Sequence, residues 1–145
     1  MKRSAALTPL SRDHHQGLFA ALKLTRASDG DADAAVAGFL DFWHAEGRRH
    51  FQIEEDLLLP GFARHGPADH PAVVRALTEH VDLRRRAQDL ERGGEPLAAL
   101  HELGRRLSAH IREEENVLFT LVEETLPADE LAALGQAIEA AEHEP

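Results

Sequence analysis

The sequence predicts an all-α protein: an antiparallel, up-down-up-down four-helix bundle with an extra amphipathic helix at its C-terminal end. Apolar residues recur every three or four positions through nearly the whole chain, and no segment alternates with the period of two that a half-buried strand requires. Clusters of Gly, Pro and Asp divide this pattern into four long stretches and one shorter one. The breaks are short, which places successive helices side by side in opposite directions. With 145 residues the chain is read as one domain, with the bundle over about residues 8–126 and the tail helix over about 128–142.

Each element has its own signals. Thr8 is expected to N-cap the first helix, with Pro9 at its first position, and the helix to run to about Ala27. Ser28-Asp29-Gly30-Asp31 forms the break. The second helix is expected from about Ala32 to Leu59, where Pro60-Gly61 stops it because proline lacks an N–H and crowds the preceding turn. A link ending in Gly66-Pro67-Ala68-Asp69 leads to a third helix that starts near Pro71 and ends at Arg92-Gly93-Gly94. The fourth runs from about Pro96 to Leu126 and is stopped by Pro127.

Composition excludes several functions. Acidic residues number 26 against 16 basic ones, a formal charge of −10, so a nucleic-acid partner has no electrostatic footing. No cysteine is present, which rules out disulfides, thiolate zinc sites and iron–sulfur clusters. No tyrosine is present either, so no tyrosyl radical can sit beside a metal. No apolar run approaches the ~20 residues of a membrane span, and the basic start of the chain is not followed by the apolar segment of a signal peptide. The expectation is a cytoplasmic protein, monomeric or homodimeric, without a membrane partner. The positive compositional signal is ten histidines.

Two of those histidines open the same phrase: His50-Phe51-Gln52-Ile53-Glu54-Glu55 and His110-Ile111-Arg112-Glu113-Glu114-Glu115. Residues four apart share one face of a helix, so His50 stands beside Glu54 and His110 beside Glu114. A single such pair is most often a solvated surface couple. Here both pairs fall within apolar stripes. On the second helix the stripe is Val36, Phe39, Leu40, Trp43, Leu57 and Leu58, and on the fourth it is Leu100, Leu103, Leu107, Val117, Leu118 and Leu121. Glu55 and Glu115 are turned ~100° aside, as supporting or surface groups. On the third helix His80 lies among Val73, Ala76, Leu77, Leu83 and Ala87. On the first, His14 and His15 flank the stripe of Leu7, Leu10, Leu18, Ala21 and Leu22.

Burying two carboxylates among leucines costs on the order of several kcal/mol each unless they are paired or coordinate a metal. Four histidines and two carboxylates exceed the four ligands of one structural zinc. They suit a pair of transition-metal ions bridged by carboxylates, and mixed imidazole and carboxylate ligation fits iron or manganese better than magnesium or calcium. His44, His65, His70 and His101 read as surface or link residues, and Trp43 as core packing a layer away from the metals.

The His-x-x-x-Glu motifs, together with Asp13-His14-His15 and Glu79-His80 on the other two helices, resemble the hemerythrin-like family, specifically its HHE cation-binding branch. The likeness covers about Leu10 to Leu126. It implies a non-haem centre of two iron ions, oxo- or hydroxo-bridged, with manganese or zinc as substitutes. Glu54 and Glu114 are implied as bridging carboxylates, and His50, His80, His110 and one first-helix histidine as terminal ligands. Asp13-His14 parallels Glu79-His80 and favours His14. The apolar positions three and seven residues after the ligand favour His15, towards which the reading leans while keeping His14. The chain departs from the oxygen-carrying pattern by having Arg84 where a further histidine stands, and Glu115, preceded by Glu114, where an aspartate stands.

A complete ligand set with no substrate-binding module attached gives three functional readings, in order of preference. The first is a di-iron binding protein that senses or handles oxygen, nitric oxide or iron. The second is an oxidoreductase that reduces peroxide or oxygen at the same centre. The third is a metal-free or zinc-loaded helical interaction module.

Overall fold

The computed structural model describes residues 2–144. Among them every regular element is helical, and no helix is long and apolar enough to cross a membrane. The first helix, Thr8–Thr25, is entered through a 3-10 turn, Ala5–Leu7. Thr8 does not cap it. Ser4 does that work one turn earlier, its hydroxyl accepting from the Ala6 N–H at 3.2 Å.

The second helix is continuous over residues 32–63. It alternates α segments with two wider π turns, Trp43–Gly47 and Glu54–Leu58. Pro60 therefore does not end it. In the π turn the Leu59 N–H already bonds the Glu54 carbonyl one residue further back than in an α-helix, and the proline follows at the start of a fresh segment, Leu59–Ala63. The third helix, Pro71–Arg92, is capped by His70, whose Nδ1 accepts from the Ala72 N–H at 3.0 Å. It ends at Gly93 and Gly94, whose φ values of 81° and 79° suit glycine. The fourth helix spans residues 97–125, with a π turn at Glu114–Leu118, and the fifth is Ala128–Glu142.

Residue pairs fix the directions. Between the first and second helices Asp13 meets His50 and Gly17 meets Phe42. Between the second and third, His44 pairs with Glu91 and Glu55 with Arg84. Between the third and fourth, Arg75 pairs with Glu113 and Asp82 with Arg106. Between the fourth and first, Ser11 bonds Glu115 while Gly104 lies against Ala21 and Thr25. In each couple one index rises as the other falls, so all four neighbours run antiparallel. The fifth helix lies outside, along the first and second helices: Gly135 sits on Ala6, Leu134 on Gly61, and Arg49 reaches the carbonyl of Glu142.

The interior has three layers. One apolar cluster holds Leu24, Phe39, Trp43, Phe51, Leu83, Leu103 and Leu107, and a second holds Leu10, Leu58, Phe62, Leu118, Phe119, Val122 and Ile138. Between them lies a buried polar layer of Asp13, His14, His50, Glu54, His80, His110 and Glu114. Leu22, Leu77 and Val117, expected in the core stripes, are instead 42%, 41% and 41% exposed. For Val117 the reason is the π turn, whose extra residue rotates it outwards and brings Phe119 in. Leu22 and Leu77 lie at the edges of their stripes.

Candidate metal centre

The second and fourth helices each deliver a histidine and, one turn on, a glutamate that opens a π turn. Single histidines come from the first and third. His50, Glu54, His80, His110 and Glu114 are at most 3% exposed, and His14 is 4% exposed. Their inward atoms converge. His50 Nε2 lies 3.1 Å from Glu54 Oε2 and 3.7 Å from Glu114 Oε1. His80 Nε2 is 3.0 Å from Glu54 Oε1 and 3.4 Å from Glu114 Oε2. His110 Nε2 is 3.0 Å from Glu114 Oε2, and His14 Nε2 is 2.9 Å from Glu114 Oε1.

Most of these short separations are not hydrogen bonds. Nε2 of His50, His80 and His110, both oxygens of Glu54 and Oε2 of Glu114 are buried without a partner of acceptable geometry. At 3.0–3.1 Å the distances suffice but the angles do not, because the lone pairs point into common space rather than at one another. Two overlapping groups result: His14, His50, Glu54 and Glu114, and Glu54, His80, His110 and Glu114, the atoms in each lying within 4.8 Å of one another. Both glutamates belong to both groups. The donor set therefore fits two cations sharing two carboxylates.

Of the residues anticipated for this site, His14, His50, Glu54, His80, His110 and Glu114 come together, and His15 does not. The leaning towards His15 is corrected: it is exposed, while His14 faces the glutamates. The buried residues of the first helix include Leu10, His14, Gly17, Ala21 and Leu24 at alternating steps of four and three, which places His14 on the inner face and His15 off it.

Outside the inner groups lies a second circle of carboxylates that sequence reasoning did not assign as a set. His50 Nδ1 meets Asp13 at 3.0 Å, His80 Nδ1 meets Glu55 at 2.7 Å, His110 Nδ1 meets Glu79 at 2.7 Å, and His14 Nδ1 meets Glu115 at 2.5 Å. Each carboxylate belongs to the helix before that of its histidine, and the fourth helix serves the first. These contacts keep each Nδ1–H donating outwards and turn Nε2 inwards, the nitrogen that a metal would take in its neutral form. Asp13-His14 and Glu79-His80 carried the available signal, a carboxylate immediately before an inward histidine. Arg84 donates to both oxygens of Glu55 at 3.1 and 2.9 Å, so it steadies the support of His80 rather than entering the site.

Charge distribution agrees with a cation site. Burial alone would lower the histidine pKa values, but the facing Glu114 and Glu54 overcome it. His80 is raised to about 9, His110 to about 10, and His50 well above its ordinary value. Burial likewise opposes ionisation of Glu114, yet the surrounding histidines, His110 first, hold it well below the usual carboxylate range. Further out, burial and the neighbouring Asp13 push Glu142 up to about 8.

Aromatic rings hold the layer from both sides. Phe51 stacks on His80 with centroids 3.9 Å apart, and Phe119 stacks on His14 at 5.2 Å. Beside the cluster is a cavity of ≈ 10 Å³ bounded by His14, His50, His110, Phe42, Trp43 and Ile111, among others. Of the remaining histidines, exposed His44 pairs with Glu91, His65 with Glu130, and His101 Nε2 donates to the Ala27 carbonyl at 2.8 Å.

A helical bundle with a buried histidine–carboxylate cluster of this kind defines a class of cation-binding proteins. The chain matches the hemerythrin HHE cation-binding domain over residues 7–122, and it belongs to that family. No curated protein and no solved structure matches it significantly. The fifth helix lies beyond the matched span.

Proposed function

We propose that the protein holds two iron ions between Glu54 and Glu114 and uses them to sense or handle oxygen, nitric oxide or iron. The observation that carries this reading is the pair of overlapping four-residue groups sharing both glutamates, in which Nε2 of His50, His80 and His110, both oxygens of Glu54 and Oε2 of Glu114 are buried without a hydrogen-bond partner. His14 and His50 would complete one ion's protein ligands, His80 and His110 the other's. Bound iron would supply redox chemistry and affinity for small neutral molecules. The chain itself supplies oriented Nε2 atoms, two shared carboxylates and apolar layers that keep bulk water away. A cavity of ≈ 10 Å³ is about the size of a single water-sized sphere and has no room for an organic substrate. Reduction of peroxide or oxygen is the second reading, favoured by carboxylate-rich ligation in place of a further histidine at Arg84.

Metal analysis of protein from iron-supplemented cells tests the centre. The expected result is close to two irons per chain with a charge-transfer absorption in the visible. Colourless, iron-free protein would sink both readings and leave the metal-free or zinc-loaded module. Rapid mixing of the reduced protein then separates them: a lasting adduct with oxygen or nitric oxide supports sensing, whereas sustained peroxide consumption supports the enzyme.

A further inference from the structure

We infer that Arg3 is a positioning residue for His14, which makes the segment ahead of the first helix a working part of the metal centre. This rests on the two-metal reading above. An outer carboxylate orients its histidine only as firmly as it is held itself. Arg84 holds Glu55 behind His80 at 2.9 Å, and Arg75 holds Glu79 behind His110 at 3.1 Å. Both of these arginines belong to the third helix. The arginine behind His14 comes instead from outside the four bundle helices, 112 residues along the chain from Glu115.

Arg3 reaches His14 by two routes. The first runs through Glu115. Arg3 donates from Nη2 to the Glu115 backbone carbonyl, and its Nε stands 3.7 Å from Glu115 Oε1. The same carboxylate accepts from Ser11 at 2.8 Å and lies 2.5 Å from His14 Nδ1. The second route runs through Phe119, which is fully buried. The guanidinium carbon of Arg3 is 5.4 Å from the centre of that ring, within cation–π range. The ring in turn stacks on His14, with centroids 5.2 Å apart and planes 10° apart. A guanidinium is a planar fork of donors that also packs on aromatic rings, so one side chain serves both routes. Arg3 is itself fixed. Its Nη1 donates to Glu123 Oε1 at 2.8 Å, and the Ser4 N–H donates to Oε2 of the same carboxylate at 2.6 Å. Glu123 lies about two turns beyond Glu115 on the fourth helix, so the guanidinium spans the two. Ser4 also opens the 3-10 turn that leads into the first helix. The clasp therefore joins the approach to His14 with the helix that carries its carboxylate. The Arg3 side chain is only 22% exposed, which limits screening of these contacts by salt.

The test uses the full chain, with NMR of the histidine ring N–H protons in metal-free protein and calorimetric titration with Zn²⁺, which is redox-inert. Arg3→Ala is expected to move the Nδ1–H resonance of His14 and speed its exchange with water, while those of His50, His80 and His110 stay put. Wild type is expected to take up two ions. Arg3→Ala should bind one of them roughly tenfold more weakly, the lower end of what loss of an outer partner does, and the other as before. Glu123→Ala removes the anchor of Arg3 without touching a histidine, and should move the same resonance and weaken the same ion. Because the two residues act in series, the double variant should lose no more than Arg3→Ala alone. An unmoved His14 resonance, an equal loss at both ions, or additive losses in the double variant overturns the positioning role. Wild type that takes up fewer than two ions removes the two-metal reading and the role in metal binding with it. The His14 resonance, read without metal, tells that failure apart from failure of the clasp.

Discussion

Neighbouring residues on one helix can have opposite fates, and His14 and His15 are the case in point. The step pattern of the first helix runs through Leu10, His14, Gly17, Ala21 and Leu24, but Gly17 has no side chain to mark the face. It is buried because Ile111 and Phe42 need its missing Cβ, which would lie 2.9 and 3.2 Å from them. A contact of this kind exists only once the second and fourth helices are in place, and that is why the bulkier Leu18 and Leu22 drew the reading towards His15. Metal content separates the two: His14→Ala is expected to lose most of its bound metal, and His15→Ala to keep the wild-type amount. The reverse result would refute the placement. A graded outcome is expected for the glutamates of the repeat. Glu54→Ala and Glu114→Ala remove a carboxylate common to both groups and should leave little metal bound. Glu55→Ala and Glu115→Ala should weaken binding about 10–100-fold, as loss of a histidine's outer partner does. Equal losses from all four would contradict the division into inner and outer carboxylates.

At the level of elements, helix number, order and approximate ends were legible because proline, glycine and apolar periodicity act locally. The π turns were not. Glu54–Leu58 and Glu114–Leu118 occupy the same place in both repeats, and each begins at the glutamate that faces the cluster. Their extra residue per turn re-phases the residues that follow, turning Val117 out and Phe119 in, an effect that a fixed 100° step per residue misses. Close helix contact was also illegible. Gly104 lets the fourth helix touch the first so closely that a Cβ there would lie 2.6 Å from the Ala21 carbonyl oxygen and 2.8 Å from the Thr25 nitrogen. Backbone atoms cannot step aside, so Gly104→Ala is expected to destabilise the fold by about 1–3 kcal/mol in denaturant unfolding. A neutral or stabilised variant would show that the two helices do not approach this closely.

For the molecule as a whole, protons and metal ions compete for the same atoms. His80 and His110, at about 9 and about 10, are raised above the ordinary 6.5. Each therefore adds stability to the metal-free fold that is complete below about pH 6.5 and is lost as pH rises through 9 to 10. The melting temperature of metal-free protein is expected to fall across that alkaline range. Metal requires neutral Nε2, so at pH 7 uptake must displace these protons, and affinity should rise from pH 6 to pH 8. Calorimetry in buffers of different ionisation enthalpy reads the protons released. Binding without release would mean that the histidines are already neutral. The chemistry of the inner cluster was legible because histidine and glutamate among leucines demand an explanation. The outer circle was not, since it depends on which helix stands next to which.

That outer circle has a topological consequence. Each helix holds the histidine of its successor, and the last holds that of the first, so the support closes on itself and has no starting point along the chain. A circularly permuted protein, with its old ends joined and new ends opened in the link near residue 67, would keep every handover intact. Cutting the same link and separating the halves would sever two handovers at once, leaving His80 without Glu55 and His14 without Glu115. The centre is indifferent to where the polypeptide begins, but it requires all four helices together.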